Sequence, residues 1–140
     1  HSTYIFMNKI NTICIIDDDP ITVFGIKKML GMVVQCGEIS SFANGKLAID
    51  AIKSTLARNA LIPEIIFLDI NMPIMDGWQF LEEFVSLEMD QTVQINIVTS
   101  SIDEADKTNW KYFRDRTKHI ITYNSKPIKK ESIALITKVA

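Results

Sequence analysis

A doubly wound α/β fold, with one parallel sheet covered by helices on both faces, is what this 140-residue chain predicts. Three observations carry the prediction. Short bursts of strong β-formers recur at Thr12 to Ile16, Val33 to Cys36, Ile65 to Leu68, Val93 to Val98 and Ile120 to Tyr123. Amphipathic helical spacing fills the stretches between them, so the chain divides into five β-α units. The bursts are apolar on consecutive positions, as strands buried on both faces require.

The first burst runs into the acids of CIIDDDP, and a helix starts there with Asp19 as cap and Pro20 in its first turn. Its stripe is Ile21, Phe24, Ile26, Met29 and Leu30. A second helix follows the second burst and the pair Asn44-Gly45, with Leu47, Ala48, Ala51, Ile52 and Leu56 as its stripe. The third burst leads through Asp69 to a helix from about Trp78 to Glu88, capped by Asp76, with Phe80, Leu81, Phe84 and Leu87 facing inward and Trp78 packing at its start. After the fourth burst a charged helix spans roughly Glu104 to Arg116. At least two of its aromatics Trp110, Tyr112 and Phe113 are expected in core or half-core positions. His119 reads as a loop residue without a task. The last helix, Lys129 to Val139, presents Ile133, Leu135, Ile136 and Val139.

A 47% hydrophobic composition supplies one core and leaves no room for a second domain. Seventeen acids against fifteen bases give a net charge of -2, which advertises neither a nucleic-acid surface nor a polybasic membrane anchor. No span approaches the ~20 apolar residues of a membrane crossing. Cys14 and Cys36 make no disulfide framework and read as buried thiols, which favours a cytoplasmic location. Residues 1–10 are expected to be an N-terminal extension, with Met7 as the natural start and His1 to Phe6 partly an added remnant. Residues 11–140 form the domain.

Right-handed crossovers bring every β-to-α loop to one edge of a parallel sheet. That edge collects Asp17, Asp18 and Asp19 after the first strand, Asp69 after the third, Thr99 at the end of the fourth and Lys126 after the fifth. Acids gathered without a counterion would repel one another, and a hard cation relieves this. Mg²⁺ fits best, because it takes one or two carboxylates with water and a phosphoryl oxygen, and Mn²⁺ is its substitute. Zinc is disfavoured: there is no CxxC, and His1 and His119 are too few and too far apart. An aspartate can also attack phosphorus and form an acyl phosphate. Such a transition state wants a positive side chain and a hydroxyl donor, which Lys126 and Thr99 supply. Asp69, at the end of an apolar strand, is thus expected to be exposed, rigidly placed and nucleophilic.

The combination of DD after the first strand, DINMPIMDG after the third, TS after the fourth and KP after the fifth resembles the receiver domain of bacterial two-component response regulators, over essentially Asn11 to Ala140. The resemblance implies a flavodoxin-like (βα)5 three-layer sandwich with strand order 2-1-3-4-5. It implies phosphorylation of Asp69, with Mg²⁺, by a histidine kinase or histidine phosphotransfer protein. Asp18 corresponds to the direct metal ligand, Asp17 to the acid that acts through water, and Asn71 to the residue giving its backbone carbonyl. Pro73 and Gly77 shape the turn, and the Lys126–Pro127 bond is usually cis in such proteins. Thr99 and Tyr123 correspond to the switch pair that remodels the face of helix four, strand five and helix five, where a downstream effector or a second copy of the chain would bind. Asn71 and Ser101 occupy positions that tune acyl-phosphate hydrolysis, and Ser100 stands where many relatives have alanine or glycine.

The resemblance implies a phosphoacceptor that assists its own phosphorylation and dephosphorylation, not an ordinary enzyme. It predicts no DNA binding by this chain, which lacks a basic helix-turn-helix segment, and no membrane attachment. A Mg²⁺-dependent phosphoester hydrolase and a binding-only module are the competing classes. Short loops leave little material for a substrate pocket, and the full set Asp17, Asp18, Asp69, Thr99 and Lys126 has no use in a pure scaffold.

Overall fold

In the computed structural model, which describes residues 8–138, strands and helices alternate along the chain. They are β1(Asn8–Ile16), α1(Pro20–Val33), β2(Val34–Phe42), α2(Gly45–Ala57), β3(Ile65–Leu68), α3(Gly77–Val85), β4(Gln94–Thr99), α4(Glu104–Arg116), β5(Ile120–Ser125) and α5(Lys130–Lys138). The five-stranded sheet has the order β2-β1-β3-β4-β5, and every pair is parallel. Ile13 and Ile15 point to the layer of α1 and α5, whereas Cys14 and Ile16 point to the layer that includes α2 and α3. Strand β3 is buried along its whole length, as its unbroken apolar run requires.

Two polar side chains inside the sheet are hydrogen-bonded across its strands. Fully buried Asn96 accepts the Thr122 hydroxyl at 2.7 Å, and the Asn124 amide donates to the Ile97 carbonyl at 3.0 Å. No helix among the described residues is long and apolar enough to cross a membrane.

Several expectations are corrected. Asn8 to Ile10, assigned to an N-terminal extension, pair with Val34 to Cys36 as the start of β1, and Ile10 is buried. Residues 1–7 lie outside the described residues, as does Val139. Strand β2 runs on to Phe42 in register with β1, beyond the apolar burst that marked its start. On α1 the inward row is Val23, Ile26, Leu30 and Val33, which leaves Ile21 and Phe24 in solvent at 80% and 67% exposure. Leu47 and Leu135 are likewise exposed, because Ala48, Ile49 and Ile52 face the core on α2, and Ile133, Ile136 and Thr137 do so on α5. Helix α3 ends at Val85, where the Ser86 N–H turns back to Glu83 and Phe84, so Leu87 packs from the following turn.

His119 has a task after all. It is buried, its Nδ1 accepts the Val93 N–H at 3.0 Å, and its ring lies 5.0 Å from that of Phe84. Burial, and then the charge of Lys118, lowers its pKa and keeps it in the neutral form that can accept. Cys14 is buried as expected, but Cys36 on the edge strand is only half-buried.

Candidate functional site

Asp17 and Asp69 are held by the backbone rails of the sheet. The Asp69 N–H donates to Ile16 at 2.9 Å and the Asp17 N–H to Phe42 at 3.0 Å, so both side chains leave from fixed strand ends. Asp17 Oδ1 accepts the Asp19 N–H at 2.9 Å, and Asp19 in turn caps α1 through the Ile21 N–H at 3.0 Å. Asp69 Oδ1 accepts the Ile70 N–H at 2.9 Å. The expectation of an exposed Asp69 is corrected: its exposure is 6%, and that of Asp17 is 4%, whereas Asp18 is open to solvent. One carboxylate oxygen from each of Asp17, Asp18 and Asp69 lies within 4.8 Å of the other two.

Lys126 closes the group from the fifth strand. Its Nζ is 3.0 Å from Asp17 Oδ2 and 3.6 Å from Asp69 Oδ2. Its own N–H donates to the Thr99 carbonyl at 2.8 Å, tying the ends of β4 and β5 together. The Lys126–Pro127 bond is cis. Thr99 is fully buried, and its hydroxyl oxygen accepts the Ser101 N–H at 3.1 Å.

The electrostatics follow from this crowding. Burial, and next the charge of Asp17, push the Asp69 pKa up to about 6, against the opposing pull of Lys126 and the N–H groups of Ile70 and Asn71. Burial alone would lower the pKa of Lys126, but its hydrogen bond to Asp17 and the charges of Asp17 and Asp69 raise it overall. Lys126 therefore stays a cation, and its single charge does not offset the burial and mutual repulsion of the acids. An all-oxygen set with uncompensated repulsion fits a hard divalent cation.

The loop after Asp69 is tightly built. The Gly77 N–H donates to Ile70 at 2.9 Å, the Gly45 N–H to Met75 at 3.1 Å, and Asp76 and Gln79 form a reciprocal capping box on α3. Between these anchors the Met75 N–H reaches Pro73 at 2.9 Å around Ile74, whose φ of 71° is a left-handed conformation that a β-branched residue resists. Ile74→Asn, which tolerates that φ, is expected to stabilise the protein by about 1 kcal/mol in urea unfolding. A loss of stability would show that the strain argument fails. Asn71 is exposed two positions beyond Asp69.

Tyr123 stands apart from the acids. Its ring tilts against Trp110 at 5.7 Å, and its hydroxyl is buried beside the Ser101 side chain. Burial and the nearby Asp106 carboxylate raise its pKa. Trp110 and Phe113 are half-buried while Tyr112 is exposed, as the aromatic pattern of α4 led one to expect.

One cluster has no local signature in the sequence. Trp78 Nε1 donates to Asp106 Oδ1 at 2.9 Å, and the Ser101 hydroxyl donates to Asp106 Oδ2. Asp106 reads as one more charge on a charged helix, and only its tertiary partners distinguish it.

The sequence model of the response regulator receiver domain matches residues 13–137. The nitrate/nitrite response regulator protein NarL of Escherichia coli K12 is 33% identical over 72 residues, covering 51% of this chain and 31% of NarL. Among solved structures, a two-component response regulator from Cytophaga hutchinsonii superposes with a TM-score of 0.79 at 26% identity, covering 94% of this chain and 97% of that one. The CheX–CheY–BeF3–Mg complex from Borrelia burgdorferi gives 0.68 at 20% identity, covering 91% of this chain and 87% of that one. The chain spans less than half the length of the curated relatives it matches.

Proposed function

Because this chain belongs to the response regulator receiver domain family, the phosphoacceptor signalling domains of two-component systems, we propose that Asp69 is its acceptor and that a phosphohistidine is its donor. The observation that carries the reading is the meeting of Asp69 with Asp17 and Asp18 within 4.8 Å, with Lys126 3.6 Å away. An Asp69 oxygen attacks phosphorus, the P–N bond to the donor histidine breaks, and its electron pair returns to the imidazole. Lys126 neutralises charge on the phosphoryl oxygens, and the Thr99 hydroxyl donates to one of them.

Asp18 and Asp69 with the Asn71 carbonyl, and Asp17 through water, would hold Mg²⁺, with Mn²⁺ as its substitute. Bound there, the ion supplies positive charge against the phosphoryl oxygens. The donor is a histidine kinase or histidine phosphotransfer protein. Exposed Ile21 and Phe24, on α1 beside the acids, offer it an apolar contact. Turning Thr99 toward the phosphoryl group changes the space available to Tyr123, and a downstream effector, or a second copy of the chain, reads the resulting face of α4, β5 and α5. The domain, from residue 8 onward, works in the cytoplasm without membrane or nucleic acid as its own partner.

Intact mass after incubation with acetyl phosphate tests this. The expected result is a gain of one phosphoryl group that requires Mg²⁺. A folded protein that gains no phosphoryl group and binds no beryllofluoride overturns the reading.

A further inference from the structure

The Thr99 hydroxyl is one end of a hydrogen-bonded chain that leaves the acidic site. The Ser101 N–H donates to Thr99 Oγ1 at 3.1 Å. The Ser101 hydroxyl accepts the Asp103 N–H at 3.2 Å and donates to Asp106 Oδ2. The second oxygen of Asp106 accepts the indole N–H of Trp78 at 2.9 Å. Three segments thus meet on one carboxylate: α3 through Trp78, α4 through Asp106 itself, and the β4–α4 loop through Ser101. Trp78 also stacks on Phe113 of α4, with ring centroids 6.0 Å apart and planes within 6°.

The setting makes this chain matter. Helix α4 has no fully buried residue, so it is held by half-buried aromatics and polar anchors instead of a deep apolar stripe. On its β5 side the anchor is Trp110, whose Nε1 donates to the Ile121 carbonyl at 2.9 Å. On its α3 side the anchors are Asp106 and the Trp78–Phe113 stack. A carboxylate is suited to the bridging place, because it only accepts and can serve an O–H and an indole N–H on separate oxygens.

We propose that Asp106 is the positioning residue that ties the Thr99 hydroxyl to the seam between α3 and α4, so that occupancy of Asp69 is felt at Trp78. The inference rests on the phosphoacceptor reading of Asp69. When Thr99 turns its hydroxyl toward a phosphoryl oxygen, the acceptor used by the Ser101 N–H moves. Ser101 carries the next link on its own side chain, so its bond to Asp106 shifts too, and the Trp78 bond with it. The coupling is reciprocal: a seam held by Asp106 presents Thr99 in place, and a released seam presents it less well.

The test uses Trp110→Phe, which leaves Trp78 as the sole tryptophan. Addition of Mg²⁺ and beryllofluoride is expected to change Trp78 emission. Asp106→Ala should abolish that change while ¹⁹F NMR still detects the adduct, with beryllofluoride affinity weakened roughly fivefold. Trp78→Phe and Ser101→Ala, followed by ¹⁹F NMR, should each weaken binding, and the double variant should be no worse than the weaker single one, since both cut one chain. Additive losses would mean independent contacts and overturn the proposal. So would an adduct that leaves Trp78 emission unchanged in the Trp110→Phe protein, or an emission change that survives Asp106→Ala. A purely structural Asp106 would lower the melting temperature of its variant and leave the emission response intact. Absence of any adduct in the folded parent would instead overturn the assignment of Asp69, and this proposal with it.

Discussion

Asp69→Asn is expected to abolish the phosphoryl adduct and, in the same protein, to raise the melting temperature at pH 7.5 in EDTA by roughly 6 °C. The loss of the adduct follows from the loss of the nucleophile. The gain in stability follows from the environment that makes Asp69 useful. Burial and the neighbouring Asp17 raise its pKa from 3.8 to about 6. A rise of roughly 2 units corresponds to about 3 kcal/mol against the charged form, and solvent reaching the site brings the expected gain down to about 2 kcal/mol. The folded state holds this proton more tightly than the unfolded state, so the favourable contribution is complete below the unfolded pKa. It is lost as pH rises from about 4 through about 6. Asparagine has no such dependence, so the gap between variant and parent should narrow as pH falls through that window. Mg²⁺ should narrow it too, by stabilising the parent more than the variant. Thermal melts at several pH values, with EDTA or Mg²⁺, decide the matter, and a variant less stable than the parent at pH 7.5 in EDTA would refute the account.

The same physics explains which parts of the molecule were legible in its sequence. Asp17, Asp18, Asp69, Thr99 and Lys126 could be assembled without coordinates, because in a parallel sheet handed crossovers convert strand ends into one location. Strand β3 was legible because it is buried on both faces. The continuation of the edge strand β2 past Cys36 was not: Glu38, Ser40 and Ser41 pair with β1 while facing partly to solvent, and no apolar run marks them. Helix stripes failed where an apolar residue sits one step off the inward row, as Ile21, Phe24, Leu47 and Leu135 do. Exposed apolar side chains are common, and composition alone does not say which residue of a stripe faces in. The burial of Asp69 was missed for a related reason, since a strand end gives position but not depth. His119 and Asp106 were missed because their meaning lies in partners 26 and 28 positions away, the Val93 N–H and the Trp78 indole. A lone histidine before a strand, or one acid on a charged helix, looks the same whether or not such a partner exists.

Gly77→Ala should be the most damaging small substitution near the site. Glycine is required here by space and not by a left-handed backbone, since the described chain has no glycine at positive φ. A Cβ on residue 77 would stand 2.5 Å from the Asp69 carbonyl oxygen, 2.9 Å from Ile70 Cα and 3.2 Å from the Asp69 carbonyl carbon. All three are backbone atoms, so no side chain can swing away. The two segments cannot simply part either. The Gly77 N–H is bonded to Ile70, the Asp69 N–H to Ile16, and the capping box fixes the start of α3. Strain therefore falls on the peptide that carries the acceptor carboxylate. A destabilisation of about 3 kcal/mol is expected, the upper part of the range for an added methyl in a closed space. Displacement of Asp69 should also weaken Mg²⁺ binding roughly tenfold, because a site of few ligands loses affinity when one is misplaced. Gly25→Ala is the matched control: its Cβ would meet nothing within 4 Å, and inside α1 the change should stabilise by about 0.5 to 1 kcal/mol. Urea unfolding of both variants, with Mg²⁺ titrations on the folded proteins, separates the two effects. If Gly77→Ala matches the parent in stability and metal affinity, the loop yields more readily than its hydrogen bonds imply. The rigid placement of Asp69 would then have to come from β3 alone.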